Sequence, residues 1–183
     1  MRIIAGSCKG RPILAPKGMD TRPTLDRVKE SLFGIIQFQI YGKTVLDLFA
    51  GSGNLGLEAL SRGASFAAFN DMSRDAVKVI RANIEKLGFE QKSVVMNVDF
   101  AQAIRSLSAR RFDIVFIDPP YRAGLMEKAL RELSSAGILN EGAMVIAEHD
   151  AHIAPVDTGA LVLYDRRIYR DTALSFYRLE GEE

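Results

Sequence analysis

Apolar and polar positions alternate along this chain in two different rhythms. From about residue 43 onward, short apolar runs exchange with stretches of helical period. Residues 45–49 predict a strand, 54–61 a short helix closed by Gly63, and 66–70 a second strand. Ser73 is placed to cap a helix with Ala76, Val77, Ile80, Ile84 and Leu87 on one face, ended by Gly88. Residues 94–98 predict a third strand, 101–109 a helix, 112–118 a fourth strand, 125–134 a helix and 143–148 a fifth strand. Strands alternating with helices of this length imply βαβ units, hence a parallel sheet covered on both faces. The end differs: residues 161–169 and 173–179 are β-like runs with little between them, which predicts an antiparallel hairpin at the sheet's edge.

Ahead of the sheet, Thr24 or a neighbour opens a predicted helix with Leu25, Val28, Leu32, Ile35 and Ile36 on one face. Residues 3–18 are short apolar pairs broken by Gly and Pro, the pattern of a small β-ribbon or an extended arm. No repeat, low-complexity tract or linker interrupts the chain. The expectation is one α/β domain over residues 1–183, with an N-terminal arm and helix over 1–42 and the core over 43–183. Its 183 residues suit a single domain of roughly 100–200 residues. The lone cysteine, Cys8, fits a protein that needs no disulfide and a reducing compartment. With no signal-like start and no apolar run near membrane-spanning length, a soluble, cytoplasmic protein is expected.

The net charge of +1 hides an asymmetry. Residues 1–30 carry seven bases (Arg2, Lys9, Arg11, Lys17, Arg22, Arg27, Lys29) against three acids, a balance of +4; the remainder has a balance of −3. A basic arm on a near-neutral body is what a phosphate-binding surface looks like in sequence, although a solvated tail has the same composition.

The candidate chemistry begins at "VLDLFAGSGNLG", residues 45–56, where Gly51, Gly53 and Gly56 take the G-x-G-x-x-G spacing of a nucleotide loop after a strand. That spacing alone is weak, so its neighbours decide. Asp47 lies within the first strand, Asp71 follows the second and Asp99 the third. A nicotinamide cofactor accounts for Asp71, the ribose acid, but Asp47 would repel its pyrophosphate. A ligand without phosphates that carries a sulfonium and an ammonium suits these acids better, and S-adenosylmethionine is such a ligand. Each acid also has a local alternative: Asp47 as a brace for loop amides, Asp71 as a helix-leading acid, Asp99 as a helix cap.

At the end of strand four stands "DPPY", Asp118-Pro119-Pro120-Tyr121. Two prolines fix φ and remove two amide donors, holding Asp118 and the turn's carbonyls rigidly at the sheet's mouth. An amine conjugated to a base is a poor nucleophile because its lone pair is delocalised into the ring. Hydrogen bonds accepted from its N–H groups by a carboxylate and a carbonyl draw the nitrogen toward tetrahedral geometry. Tyr121 is suited to stack on a flat base turned out of its helix. This chemistry requires no metal. His149 and His152, after strand five, are candidates for the site's rim.

The chain is identified by resemblance at this point. "LDLFA" before the glycine loop and "DPPY" about 65 residues later resemble class I methyltransferases that act on exocyclic or amide nitrogens. The segments "MRIIAGSCKGRPI", "TRPTLDRVKESLFGII", "LDLFAGSGNLGLEALSRGA", "FDIVFIDPPY" and "DTALSFY" together resemble the RsmD-type 16S ribosomal RNA guanine-N2 methyltransferases over nearly the whole chain. The resemblance implies a Rossmann-like, seven-stranded, mostly parallel sheet whose last strand is antiparallel. It implies S-adenosylmethionine held by Asp47, Phe49, Gly51, Gly53 and Asn54, by Asp71 and Met72, and by Asp99 and Phe100. Asp118, Pro119, Pro120 and Tyr121 match the catalytic turn. Arg2, Lys9, Arg11 and Lys17 are the expected RNA-phosphate contacts. Arg22 and Thr24 are expected at the site's edge, or else only shape the turn into the helix. The implied partner is 16S ribosomal RNA within a small-subunit assembly intermediate, met by a monomer. Three positions depart from the family's pattern: Asn70 replaces an apolar residue, Phe100 a small one and Arg170 a glycine. DNA adenine-N6 methylation shares the tetrad, but this chain has no room for a separate target-recognition domain. A non-catalytic RNA-binding protein on the same fold is the third alternative.

Overall fold

The structure, a computed structural model, describes residues 1–16, 23–120, 124–154, 156 and 158–180, with backbone alone at 23–26. Its elements follow in the order α1 (Pro23–Ile35), β1 (Thr44–Asp47), α2 (Asn54–Ser61), β2 (Phe66–Asn70), α3 (Arg74–Leu87), β3 (Ser93–Met96), α4 (Phe100–Ser106), β4 (Phe112–Ile117), α5 (Leu125–Ser135), β5 (Leu139–Asp150), β6 (Leu161–Tyr169) and β7 (Thr172–Leu179). The seven strands form one sheet in the order β3-β2-β1-β4-β5-β7-β6. β1 to β5 pair in parallel, and β7 is antiparallel to both of its neighbours. This is the Rossmann-like arrangement expected.

Strands buried on both faces need apolar residues on both sides, and β4 supplies them from Ile114 to Ile117. Ile114 and Phe116 join the layer under α1, α2 and α3, while Val115 and Ile117 join the layer under α4 and α5. Each fully buried side chain of this size contributes about 1.5–3 kcal/mol. α3 carries the predicted stripe: Ala76, Val77, Ile80, Ile84 and Leu87 are buried. Ser73 caps its start by accepting from the Ala76 N–H, and left-handed Gly88 closes its end.

Several boundaries differ from the sequence expectation, each for a local reason. β3 stops at Met96 because Asn97 turns its side-chain amide onto the carbonyls of Asp71 and Met72, and the Val98 N–H goes to the Asn70 side chain. α4 begins at Phe100 because Asp99 caps it. β5 starts earlier than predicted, since Leu139 already pairs with Phe112. The terminal hairpin forms, but β7 lies inside the sheet and, of the two hairpin strands, β6 is the edge. On α1, Phe33 rather than Ile35 faces the core: Phe33 is fully buried beside Phe116, with ring centroids 5.8 Å apart, while Ile35 is exposed.

The basic N-terminal stretch forms a ribbon rather than a free tail. Arg2 and Pro12 form an antiparallel bridge, and Ile3, Cys8 and Ile13 are buried in the α1–α3 layer. What pins the ribbon is Glu58 of α2, fully buried, which the sequence reading passed over. Its two carboxylate oxygens accept the N–H groups of Ile4 and Ala5 at 2.8 and 3.0 Å. They also meet the Lys29 Nζ at 2.9 Å and the Arg62 Nε at 2.8 Å. Burial opposes the charge, but the Lys29 ammonium and these hydrogen bonds outweigh it and hold the carboxyl below its ordinary value. Lys29 also donates to the Arg2 carbonyl, so α1, α2 and the ribbon meet at one buried ion cluster.

Candidate active site

In an open parallel sheet, ligands sit outside the carboxyl ends of the strands where the strand order reverses. Here that point lies between β1 and β4, and the predicted acids gather around it. Asp47 ends β1 with its side chain buried, and its Oδ2 accepts the Gly56 N–H at 3.0 Å. Burial, with added repulsion from Asp118 and Asp71, pushes its carboxyl up to about 7 against the lowering effect of the Gly56 bond. Asp47 therefore braces the loop, as one reading of the sequence held. It also leaves at the switch point an acid that no described cation pairs, one that a cationic ligand would hold ionised.

The glycine loop is shaped by two steric demands. Gly53 stands at φ 80° as the N-cap of α2, a left-handed backbone that a Cβ disfavours. At Gly56 a Cβ would lie 2.3 Å from the Phe69 ring, so the residue lets α2 press onto β2. Asp71 fixes the next loop: its two oxygens accept the N–H groups of Gly51 and Ser73, both at 2.8 Å. Each oxygen keeps a further lone pair for a hydroxyl. Buried Asn70 has a definite task where an apolar residue was the norm. Its amide donates to the Leu48 carbonyl and accepts from the Val98 N–H, stapling the ends of β1 and β3 across β2.

Beside these acids lies an apolar floor. Phe49 and Phe100 pack with centroids 5.7 Å apart, so the aromatic residue at 100 pairs with the one after β1. Met72 projects into solvent, 71% exposed. Asp99 spends one oxygen on the Gln102 N–H as the cap of α4, and the other stays available. Asn54, in contrast, turns its side-chain oxygen to the Lys29 ammonium at 2.6 Å.

On the other side of the switch point, Asp118 is the first residue beyond β4, followed by Pro119 and Pro120. Asp118 is exposed at the mouth yet ringed by protein atoms, and that crowding raises its carboxyl. Tyr121 lies outside the described residues, as do Lys17 and Arg22; Thr24 is described by its backbone only. A cavity of about 300 Å³ opens beside the turn, lined by Pro119, Pro120, Met126, Glu148, His149 and Ile153 among others. Glu148 was not anticipated, because a lone acid near the end of a strand carries no motif. Burial, with the neighbouring Asp118 charge, pushes its carboxyl up to about 8. His149 lies within β5, buried, with its Nε2 2.8 Å from the Ser175 Oγ; His152 is exposed and pairs with Asp150. Arg2, Lys9 and Arg11 stand exposed on the ribbon, and the Arg11 guanidinium also donates to the Lys86 carbonyl at the end of α3.

The arrangement suits a cationic nucleoside on one side and a flat amine on the other. The acids around Asp47 favour positive charge, and the proline turn offers rigid acceptors over a cavity large enough for a base. These residues fit S-adenosylmethionine and would oppose a pyrophosphate.

The likeness to known proteins agrees with this geometry. The family described as "Conserved hypothetical protein 95" matches residues 1–178. The protein YlbH of Bacillus subtilis is 37% identical over 184 residues, covering 99% of this chain and all of that one. "Ribosomal RNA small subunit methyltransferase D" of Escherichia coli is 33% identical, covering all of this chain and 91% of that one. The solved structure of yhhF from Escherichia coli superposes with a TM-score of 0.85 at 34% identity, over 99% of this chain and 98% of that one. The fold is that of the class I methyltransferases, and the chain belongs to the RsmD-type family.

Proposed function

We propose that this protein methylates the exocyclic N2 of a guanine in the 16S RNA of the small ribosomal subunit, using S-adenosylmethionine. The observation that carries the reading is the opposition of two features across the switch point. The acid-flanked glycine loop of Asp47 and Asp71 stands on one side, and the Asp118-Pro119-Pro120 turn with its cavity on the other. The name of the Escherichia coli relative supports small-subunit ribosomal RNA as the substrate class.

Bound S-adenosylmethionine would supply an electrophilic methyl carbon on a sulfonium. In this reading Asp71 takes the ribose hydroxyls, the Phe49–Phe100 floor and Met72 take the adenine, and Asp47 takes the positive end. Asp118 and the Pro119 carbonyl accept the two N–H bonds of the target amine, which localises its lone pair and aims it. Holding the two reacting atoms in line supplies much of the rate. Tyr121 is proposed as the stacking partner of the base. Arg2 and Lys9, exposed on a ribbon that Glu58 holds rigid, are proposed to meet RNA phosphates.

The test is a labelled-methyl assay on small ribosomal subunits from a strain lacking the enzyme, followed by nucleoside identification. The expected product is N2-methylguanosine in 16S RNA. Label in adenine, transfer to duplex DNA in preference to the subunit, or no transfer to RNA contradicts the proposal.

A further inference from the structure

One carboxylate at the cavity has no task in the mechanism above. β4 and β5 run parallel with Ile117 opposite Ala147, so Asp118 and Glu148 hold the next, adjoining positions of the two chains. Glu148 lines the same cavity as Pro119 and Pro120. No donor among the described residues hydrogen-bonds its carboxylate, and the neighbouring Asp118 charge adds repulsion to its burial. Two carboxylates side by side in a partly dry site are unfavourable unless a ligand brings donors to both.

Guanine brings them. Its 2-amino group adjoins N1–H, so the edge that enters the clamp presents donors in succession. Adenine presents the opposite neighbour: beside its amine stands a bare N1 lone pair, which is repelled by the Glu148 carboxyl once the cationic methyl donor bound nearby favours its ionised form. Once Asp118 and the Pro119 carbonyl hold the amine, the adjoining donor points along the same edge toward the strand beside β4.

We propose that Glu148 is a specificity-determining residue that accepts the N1–H of the target guanine. The Asp118–Glu148 pair then reads the base as two neighbouring donors and rejects a base with an acceptor at that place. The inference rests on the guanine-N2 reading above and deepens it. It also accounts for how a tetrad shared with adenine methylases is confined to guanine. A site built to satisfy a polar group discriminates strongly against a base lacking it, because the buried acceptor is then left unpaired.

The test uses small-subunit particles reconstituted on 16S RNA carrying either guanine or 2-aminopurine at the methylated position. 2-Aminopurine keeps the amine and has a lone pair in place of N1–H. Wild-type protein is expected to favour guanine by roughly 10- to 100-fold in kcat/KM. Glu148→Gln, whose amide can donate or accept, is expected to bring the two substrates within about threefold, with the loss falling on guanine. A Glu148→Gln protein that keeps the wild-type ratio overturns the role of Glu148 alone. Wild-type protein that leaves the guanine amine unmethylated overturns the functional reading itself. If circular dichroism shows Glu148→Gln unfolded, Glu148→Asp takes its place: it withdraws the acceptor by one methylene. It should slow guanine methylation without slowing 2-aminopurine, and equal slowing of both rejects the inference.

Discussion

At the scale of single residues, the site is governed by where carboxylates are buried. Asp47 has a folded-state value of about 7 against an ordinary 3.8, so the folded protein holds a proton there that the unfolded chain has lost. That contribution to stability is therefore lost as pH rises from about 4 to about 7. A cationic ligand reverses the balance by favouring the ionised form. Affinity for S-adenosylmethionine, measured by calorimetry, should rise by about fivefold between pH 6 and pH 7 and level off above about pH 8. S-Adenosylhomocysteine, which lacks the sulfonium charge, should show a shallower rise. Identical pH profiles for the two would remove Asp47 from the charge argument. Arg170 is a second residue-level case. It occupies the two-residue turn between β6 and β7 at φ 57°, the one left-handed residue other than glycine among the described residues. Arg170→Gly should therefore stabilise the fold by about 0.5–1 kcal/mol, read as a raised Tm.

At the scale of elements, the ion cluster around Glu58 decides whether the N-terminal ribbon and α1 stay docked. Removing one partner of a buried pair leaves the other charge without compensation. Glu58→Gln is expected to cost about 3 kcal/mol in chemical denaturation and to loosen the ribbon, seen as faster amide exchange at Ile4 and Ala5. Since the Glu58 carboxyl lies below its ordinary value, its stabilising contribution is present at neutral pH and is lost as pH falls through the folded value. Most element positions were legible in the sequence, because alternating apolar runs and helical stripes report burial directly. β2 falls where its apolar run predicted, and α3 is bounded by the Ser73 and Gly88 signals. Two of the misjudged ends share one cause. Asn97 and Asp99 form side-chain bonds to backbone that end β3 and start α4, and such bonds leave no periodic trace. Glu58 escaped notice for a similar reason: within a short helix it reads as an ordinary surface acid until its partners from other segments are known.

At the scale of the whole molecule, the sheet order brings residues distant in sequence to one switch point. The acids after β1, β2 and β3 could be placed there from the sequence because each follows a recognisable strand. Glu148 could not, since its role depends on the register between β4 and β5. The docked ribbon likewise turns Arg2, Lys9 and Arg11 from charges on a tail into a fixed surface next to the body. Lys9→Ala should weaken binding to small-subunit RNA several-fold and reduce the slope of log affinity against log salt by about 1, while an unchanged slope would remove Lys9 from the phosphate contacts. The central claim, that a rigid acceptor at Asp118 activates an amine opposite a separately held methyl donor, is tested most directly by Asp118→Ala. Methyl transfer to subunits and S-adenosylmethionine binding should be measured on the same preparation. The account predicts a loss of transfer of at least about a hundredfold, with binding of the donor within about threefold of wild type. Transfer at the wild-type rate, or loss of transfer that only follows loss of donor binding, would contradict it.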